Sequence, residues 1–262
     1  MNGAVTVYFL ALVFITQAAK KPKPEVPKTT KQWTPKPPVN AEEVGKHFEG
    51  DIILPLPGLD RSGLIDEKYR WPNGEVPYEI GDGFSEYEME ELYRAMREYD
   101  IRTKSCIQFI KHTNQTDYLV IRSSKFGGCS SSVGRRGGEQ TMELDSKCFR
   151  KFGTILHEML HTLGFFHEQS RTDRDSYVKI IWKNINDDYQ SNFRKYSSAM
   201  VGPFGVGYDY GSVMHYSSFA FSSNDLKTIV PLDTTAKIGQ RLDLSKFDVR
   251  KLMNMYKCEE RE

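Results

Sequence analysis

HEMLHTLGFFHE, residues 157–168, has histidines at spacings that predict a metal site. On a helix, His157 and His161 lie four residues apart, so both rings project from one face and can bind the same ion. Glu158 lies directly beside this pair. Because His167 is six residues beyond His161, a continued helix would carry its ring to another face, so the chain has to turn first.

Gly164 is placed to permit this turn, since a residue without a Cβ adopts the left-handed conformation that ends many helices. Three neutral imidazoles at this spacing suit one zinc ion per chain, and they leave a fourth position for water, as in catalytic zinc sites. The alternative is a set of ordinary core or surface histidines, but five matching positions are a much rarer coincidence than HExxH alone. The segment predicts a zinc hydrolase.

This segment matches the pattern HExxHxxGFxHE of the astacins, a branch of the metzincin zinc endopeptidases. SVMHY, residues 212–216, resembles the Met-turn of that family. Similar segments follow in the expected order over about residues 62–258, namely RWPNGEVPY, GCSSSVGRRGG, EQSRTDRDSYV, YDYGSVMHY and IGQR. The resemblance implies an α+β fold, a two-lobed zincin catalytic domain. Its N-terminal lobe would contain a mixed twisted sheet and two long helices, and its C-terminal lobe would be largely irregular.

The resemblance also implies a role for each site residue. Glu158 would be the general base, and Tyr216 would be a swinging metal ligand and oxyanion donor. Met214 would form an apolar floor below the zinc, although a lone methionine usually fills a core. His215 is expected to pack or to hydrogen-bond instead of ligating. The zinc ligands would be His157, His161 and His167.

Charge and composition argue against several other classes of protein. The chain has 262 residues, of which 39% are hydrophobic and 27% charged, as in ordinary soluble globular proteins. It balances 36 Lys and Arg against 35 Asp and Glu. This balance argues against nucleic acid or an anionic membrane as the main partner.

The first residues predict a signal peptide over residues 1–18. VTVYFLALVFI, residues 5–15, is a continuous apolar run, and small residues follow it for cleavage after Ala18. The run is too short to span a bilayer comfortably, and no later segment predicts a membrane span. We therefore expect secretion to the extracellular space. Because the start lacks a lysine or arginine, a buried strand or an uncleaved anchor is the alternative.

Residues 19–61 are predicted to form a propeptide. Residues 20–40 contain six prolines and six lysines, which predict an extended linker, with a polybasic tether as the alternative. HFEGDIIL, residues 47–54, resembles the FxGD element of astacin propeptides, which implies that Asp51 occupies the open zinc position and inhibits the precursor. By itself, FEGD is typical of a solvated turn. His47 is expected to be a bystander.

The resemblance places the mature N-terminus at Ser62 and the peptidase domain at residues 62–262. A trypsin-like protease would cut after Arg61. The new ammonium group is expected to be buried against Glu168, because an unpaired buried carboxylate costs on the order of several kcal/mol. The alternative is that Glu168 is a solvated loop acid. We expect a minimal form made of signal peptide, propeptide and catalytic domain.

Four cysteines in a secreted chain are expected to pair, and the sequence alone permits three connectivities. The family resemblance selects Cys106 with Cys258 and Cys129 with Cys148. Asn114 begins a sequon, which makes it a candidate for glycosylation in a secreted chain.

Local patterns predict part of the secondary structure. Residues 75–80 are expected to form a strand, and a capping box at Ser85 opens a helix to about Thr103. The helix that carries the first two histidines lacks a clear cap, and Gly153 weakens its pattern. By resemblance, residues 127–138 lead into the strand that lines the substrate cleft, where serines replace an aromatic residue of most astacins.

These features together predict a secreted zinc endopeptidase that is made as an inactive zymogen and cleaves protein or peptide substrates as a monomer. The rival from another class is a catalytically silent zinc-binding adhesion or decoy protein, and the intact Glu158 and Tyr216 argue against it. A structural zinc domain would need a fourth protein ligand in the mature form, and the sequence offers no evident one.

Overall fold

A computed structural model gives the structure of residues 39–54, 66–124, 127–198 and 202–261. The predicted signal peptide, most of the linker and the Arg61–Ser62 junction lie outside these ranges. The strands are β1 Ile52–Ile53, β2 Glu75–Ile80, β3 Gln108–Lys111, β4 Tyr118–Ser123, β5 Cys129–Ser132, β6 Glu139–Leu144, β7 Val178–Ile180 and β8 Ile229–Pro231. The α-helices are α1 Glu86–Arg102, α2 Phe152–Leu163 and α3 Lys246–Met255.

A six-stranded mixed sheet forms the framework of the N-terminal lobe, in the order β1-β5-β6-β4-β2-β3. Strand β5 runs antiparallel to β6, and every other neighbouring pair is parallel. The predicted strand at residues 75–80 is confirmed as β2. The strands on either side of the 112–117 loop do not pair with each other, because β3 and β4 lie on opposite sides of β2.

Helix α1 begins where the sequence predicts it. The Ser85 hydroxyl accepts a hydrogen bond from the Glu88 backbone N–H at 3.3 Å, and the Glu88 carboxylate accepts one from the Ser85 N–H at 2.8 Å. This capping box satisfies backbone donors that the first turn leaves without helical partners. Tyr99, which is fully buried, donates from its hydroxyl to the Leu156 carbonyl at 2.6 Å. That bond ties α1 to α2.

The C-terminal lobe is mostly irregular, with short 3₁₀ turns, the antiparallel pair β7–β8 and helix α3. It has its own core of aromatic and aliphatic residues, including Phe193, Phe221 and Ile229. Helix α3 instead packs into the core of the first lobe, and the Tyr256 hydroxyl after it donates to the Leu163 carbonyl at 2.9 Å. The predicted α+β, two-lobed architecture with two long helices is confirmed.

The structure contains both disulfides that the resemblance implied, Cys106–Cys258 and Cys129–Cys148. Replacing Cys106 and Cys258 by alanine is expected to lower the free energy of unfolding by about 5 kcal/mol, because this bridge spans 152 residues and restricts the unfolded chain. The bridge that spans 19 residues is worth about 3 kcal/mol on the same reasoning. Urea unfolding of the two double variants measures the difference, and equal losses would contradict the loop-entropy account.

Candidate active site

Helix α2 brings two of the three predicted ligands to the centre of the molecule. His157 and His161 are both fully buried, and they lie one turn apart among apolar residues of α2. The helix ends at Gly164, which has φ 116°. The Phe165 N–H then donates to the Leu160 carbonyl at 2.9 Å, and the chain reverses to bring His167 to the same place. The left-handed glycine makes this reversal without the strain that a side chain would add.

Three histidines and one carboxylate converge on a single point, with the ligand atoms of His157, His161, His167 and Asp51 within 4.8 Å of one another. Oδ2 of Asp51 lies 3.0 Å from His157 Nε2 and 3.2 Å from His167 Nε2, and its Oδ1 lies 3.5 Å from His161 Nε2. Ligands about 2.0 Å from zinc at tetrahedral angles are roughly 3.3 Å apart. The donor set and its spacing therefore fit one zinc ion.

Each ligand ring is oriented by a hydrogen bond from its other nitrogen. Nδ1 of His157 donates to the Val213 carbonyl at 2.8 Å, and Nδ1 of His161 donates to the Phe165 carbonyl at 2.7 Å. Nδ1 of His167 donates to the Glu49 carboxylate at 2.7 Å. Because each acceptor is an oxygen, each Nδ1 carries a proton, and Nε2 is the atom of each ring that is left to bind a metal.

The pKa shifts of the clustered histidines and Asp51 indicate that positive charge stabilises this site. Burial lowers the pKa of His157 well below its ordinary value. Burial also opposes protonation of His167, but the charge of Asp51 and bonds to Asp51 and Glu49 raise the pKa of His167 to about 10. Burial of Asp51 would raise its pKa, yet the charges of His167 and His161 hold that pKa well below the usual range. A buried carboxylate is thus kept ionised by positive charge around it, which zinc also supplies.

Glu158 lies beside the cluster in an unusual state. It is fully buried, and neither carboxylate oxygen has a hydrogen-bond partner among the described residues. Burial, followed by the charge of Asp51, raises the pKa of Glu158 well above its ordinary value. A buried carboxyl group with raised proton affinity and no protein partner is suited to exchange a proton with a bound molecule.

The segment 212–216 contacts two of the ligand histidines, through the Val213 carbonyl and the Tyr216 ring. Met214 is buried, and its carbonyl accepts a hydrogen bond from the Glu168 N–H at 3.1 Å. The ring of Tyr216 lies 4.6 Å from that of His167, and its hydroxyl donates to the Glu49 carbonyl. His215 points away from the cluster, between the Tyr208 hydroxyl at 2.7 Å and the Tyr216 carbonyl at 2.8 Å. As expected, His215 hydrogen-bonds instead of ligating.

Glu168 is buried, so the alternative of a solvated loop acid is wrong. The structure already supplies its carboxylate with partners, namely the Lys251 ammonium at 2.5 Å, Arg171 at 3.3 Å and the Asp209 N–H at 2.8 Å. The expected contact of Glu168 with the Ser62 ammonium lies outside the described residues. Electrostatics alone therefore do not require that ammonium group, because two other cations lie nearby.

Several contacts of residues 40–53 were not predicted from the sequence. Glu42 forms a fully buried ion pair with Arg241 at 2.5 Å, and Glu43 accepts hydrogen bonds from the Ser217 N–H and hydroxyl at 2.6 and 2.7 Å. Strand β1 forms one edge of the sheet and pairs in parallel with β5, whose three serines are all buried. The change from a lysine- and proline-rich linker to AEEV was the available signal.

Gly153 also has a role that the sequence did not reveal. Its N–H donates to the Arg241 carbonyl at 3.1 Å. A Cβ at this position would lie 2.3 Å from the Arg241 carbonyl carbon, so only glycine permits this approach. The residue that weakens the helix pattern is thus required for packing of α2 against the segment that binds Glu42.

Two further observations concern the sequon at Asn114 and the lengths of the helices. Asn114 is exposed in the loop between β3 and β4, where its sequon is accessible. Among the residues that the structure describes, there is no helix of the length and hydropathy needed to cross a membrane.

The fold, the three oriented imidazoles and the adjacent Glu158 define a zinc-dependent peptidase domain. Comparison with known proteins makes the class more specific. The family model for Astacin, a family of peptidases, matches residues 63–257. The chain therefore belongs to the astacin family of zinc metalloendopeptidases.

Individual relatives agree with this assignment. Zinc metalloproteinase nas-4 of Caenorhabditis elegans is 39% identical over 226 residues, which cover 82% of this chain and 70% of that protein. Meprin A subunit beta of Homo sapiens is 42% identical over 214 residues, covering 80% of this chain but 30% of its own length. The chain covers 47 to 52% of three further zinc metalloproteinases.

A solved structure shares the fold. High choriolytic enzyme 1, a hatching-enzyme zinc protease from Oryzias latipes, is 37% identical with a TM-score of 0.66, covering 72% of this chain and 93% of that one.

Proposed function

We propose that this chain is a secreted zinc endopeptidase that is made as an inactive precursor and hydrolyses internal peptide bonds of proteins. The observation that carries the proposal is the convergence of three Nε2 atoms beside a buried glutamate whose carboxylate has no hydrogen-bond partner among the described residues. A structural zinc site does not need such a glutamate, whereas peptide hydrolysis needs a group that accepts and returns a proton.

A bound zinc ion would supply a Lewis acid at the meeting point of His157, His161 and His167. Glu158 would take a proton from the attacking water and pass it to the departing amine nitrogen. The Tyr216 hydroxyl would donate a hydrogen bond to the carbonyl oxygen as negative charge develops there. In the precursor that hydroxyl is bound to Glu49, so release of residues 47–54 would free it.

The precursor state explains the contacts of the N-terminal part. We assign residues 1–18 to a signal peptide, 19–61 to a propeptide and 62–262 to the peptidase domain. Asp51 would be the inhibitory zinc ligand, which is supported by its place among the three imidazoles. Pairing of β1 with β5 and the Glu42–Arg241 ion pair would hold the propeptide across the cleft.

Activation would follow cleavage after Arg61 by a trypsin-like protease. The new Ser62 ammonium would then enter a cavity that Phe165, Phe166, Tyr196 and Phe204 line and that contains Glu168. There the ammonium group would either bind the Glu168 carboxylate together with Lys251 or replace Lys251 as its partner.

Further parts of the proposal concern the mature protein. It would be an extracellular monomer, and Asn114 would carry a glycan. The alternative, a silent zinc-binding adhesion or decoy protein, is not favoured because Glu158 and Tyr216 are both present at the site.

Trypsin treatment of the precursor, followed by cleavage assays on casein and a peptide library with and without a zinc chelator, tests the function. We expect cleavage only after trypsin treatment, complete loss with the chelator and recovery with added zinc. A processed protein that contains no zinc, or cleavage that the chelator does not affect, would contradict the proposal. Zinc binding without cleavage would favour the decoy alternative.

A further inference from the structure

Asp248, in the first turn of α3, binds two adjacent residues, Ser212 and Val213, of a short turn that also contacts His157. It is buried, and its Oδ1 accepts a hydrogen bond from the Ser212 hydroxyl at 2.6 Å. Its Oδ2 accepts from the Val213 N–H and from the Ser245 N–H, both at 2.9 Å. Three donors therefore converge on one carboxylate, which fixes residues 212–213 against the helix.

These bonds continue to a histidine ligand without interruption. The Ser212 oxygen, which donates to Asp248, accepts a hydrogen bond from the Met214 N–H at 3.1 Å. That N–H belongs to the same peptide group as the Val213 carbonyl, which accepts from Nδ1 of His157 at 2.8 Å. The chain of hydrogen bonds thus runs from Asp248 through a hydroxyl and a peptide group to the imidazole. Each bond in such a chain polarises the next.

The same turn also contacts the segment of the third ligand. The Met214 carbonyl accepts a hydrogen bond from the N–H of Glu168, the residue that follows His167. A shift of the turn would therefore move the orienting acceptor of His157 and the backbone beside His167 together.

We propose that Asp248 is a positioning residue for the zinc site, which sets the ring orientation and basicity of His157 through Ser212 and the Val213–Met214 peptide. The inference rests on the proposed zinc site and assigns Asp248 no contact with the substrate. Outer partners of metal ligands fix the tautomer and raise the ligand's affinity for metal, and their loss typically costs about 10- to 100-fold in metal affinity.

The chain offers a matched control for this proposal. Asp248 is the third residue of a capping box that begins at Ser245, and Glu88 occupies the equivalent position in the capping box of α1. Both carboxylates accept a bond from the N-cap N–H, at 2.9 and 2.8 Å. Of the two, only Asp248 also accepts hydrogen bonds from Ser212 and Val213, next to the His157 acceptor. Comparing Asp248→Asn with Glu88→Gln therefore separates helix capping from positioning.

The test measures the zinc dissociation constant of the full precursor by competition with a chromophoric chelator, and the urea midpoint of the zinc-free protein. We expect Asp248→Asn to raise the dissociation constant about 10- to 100-fold, and Glu88→Gln to leave it unchanged within about twofold. Both variants should lower the urea midpoint. A dissociation constant for Asp248→Asn equal to that of Glu88→Gln would overturn the proposal.

Ser212→Ala provides a second variant if Asp248→Asn does not fold. It removes the hydroxyl that relays between Asp248 and the Met214 N–H but leaves Asp248 bonded to Val213 and Ser245. A smaller, several-fold rise in the zinc dissociation constant is expected, and no rise would overturn the proposal. A parent precursor that binds no zinc would instead refute the proposed function, so the two failures are distinguishable.

Discussion

Glu158→Gln is expected to lower peptide hydrolysis by the activated protein roughly 100- to 10,000-fold, which is the usual contribution of a positioned general base. Glutamine has nearly the same shape as glutamate, but its amide cannot accept a proton from water at neutral pH. The variant should fold normally, because the carboxylate of Glu158 makes no hydrogen bond to the described residues that the change could break.

The measurement needs three readouts on the same preparation. Casein cleavage after trypsin activation should fall, while the zinc content and the melting temperature should match those of the parent. Glu90→Gln is a suitable control, since Glu90 is exposed on α1 and should leave cleavage unchanged within about twofold.

The three readouts together decide the role of Glu158. Normal cleavage by Glu158→Gln would remove this residue from the mechanism. A loss of zinc in the variant would instead show that Glu158 contributes to zinc binding. The two histidines of α2, His157 and His161, would then not be the only residues of that helix that bind the ion.

Local sequence patterns predicted much of the fold around the site. The four-residue spacing of His157 and His161 and the glycine at 164 specify a helix and its end, because both features act within one or two turns. The capping box at Ser85 likewise predicts the start of α1 to the residue. Such patterns depend only on backbone geometry near each residue, so the local structure that they predict is also found in the folded protein.

Contacts between distant segments could not be predicted in this way. Glu42 meets Arg241 across 199 residues, and no spacing rule links them. The family resemblance predicted a role for Asp51 but none for Glu49, although Glu49 contacts both His167 and Tyr216. In the same way, no local pattern links Asp248 to Ser212 and Val213, which lie 36 and 35 residues earlier in the chain.

Asp51→Ala is expected to give a precursor that hydrolyses casein before any cleavage at Arg61. The Asp51 carboxylate lies 3.0 to 3.5 Å from the Nε2 atoms of all three histidines. Alanine provides no ligand atom, so the position in front of Glu158 becomes accessible to water. Because a contact worth about 1.4 kcal/mol corresponds to a factor of ten in an equilibrium, we expect the leak to exceed the parent background by at least roughly tenfold.

Two additional substitutions make the measurement specific. Arg61→Gln, present in every variant, prevents tryptic activation during preparation. Combining Asp51→Ala with Glu158→Gln should abolish the leak, which shows that the activity belongs to this site and not to a contaminating protease.

The leak should remain well below the activity of the trypsin-treated parent, because Asp51 is one of several attachments of the proposed propeptide. Strand β1 would still pair with β5, and Glu42 would still bind Arg241 in a fully buried ion pair. Adding Glu42→Gln should increase the leak further, since the Arg241 guanidinium would lose its nearer buried carboxylate partner and keep only Glu43 at 4.0 Å. Glu42→Gln alone should stay close to latent, because Asp51 would still occupy the proposed zinc position.

Comparing casein cleavage by the uncut Asp51→Ala, Glu42→Gln and double-variant precursors shows which contact keeps the precursor inactive. If the precursor with Asp51→Ala and Arg61→Gln is fully latent, the Asp51 carboxylate is not the inhibitory ligand. The other contacts of residues 40–53, including β1–β5 pairing and the Glu42–Arg241 pair, must then block the cleft. If Glu42→Gln alone leaks as much as Asp51→Ala, the ion pair and the zinc ligand act as one unit. A propeptide that is bound both at the zinc and at Arg241 predicts two results together. Asp51→Ala must raise casein cleavage by the uncut precursor, and adding Glu42→Gln must raise it further.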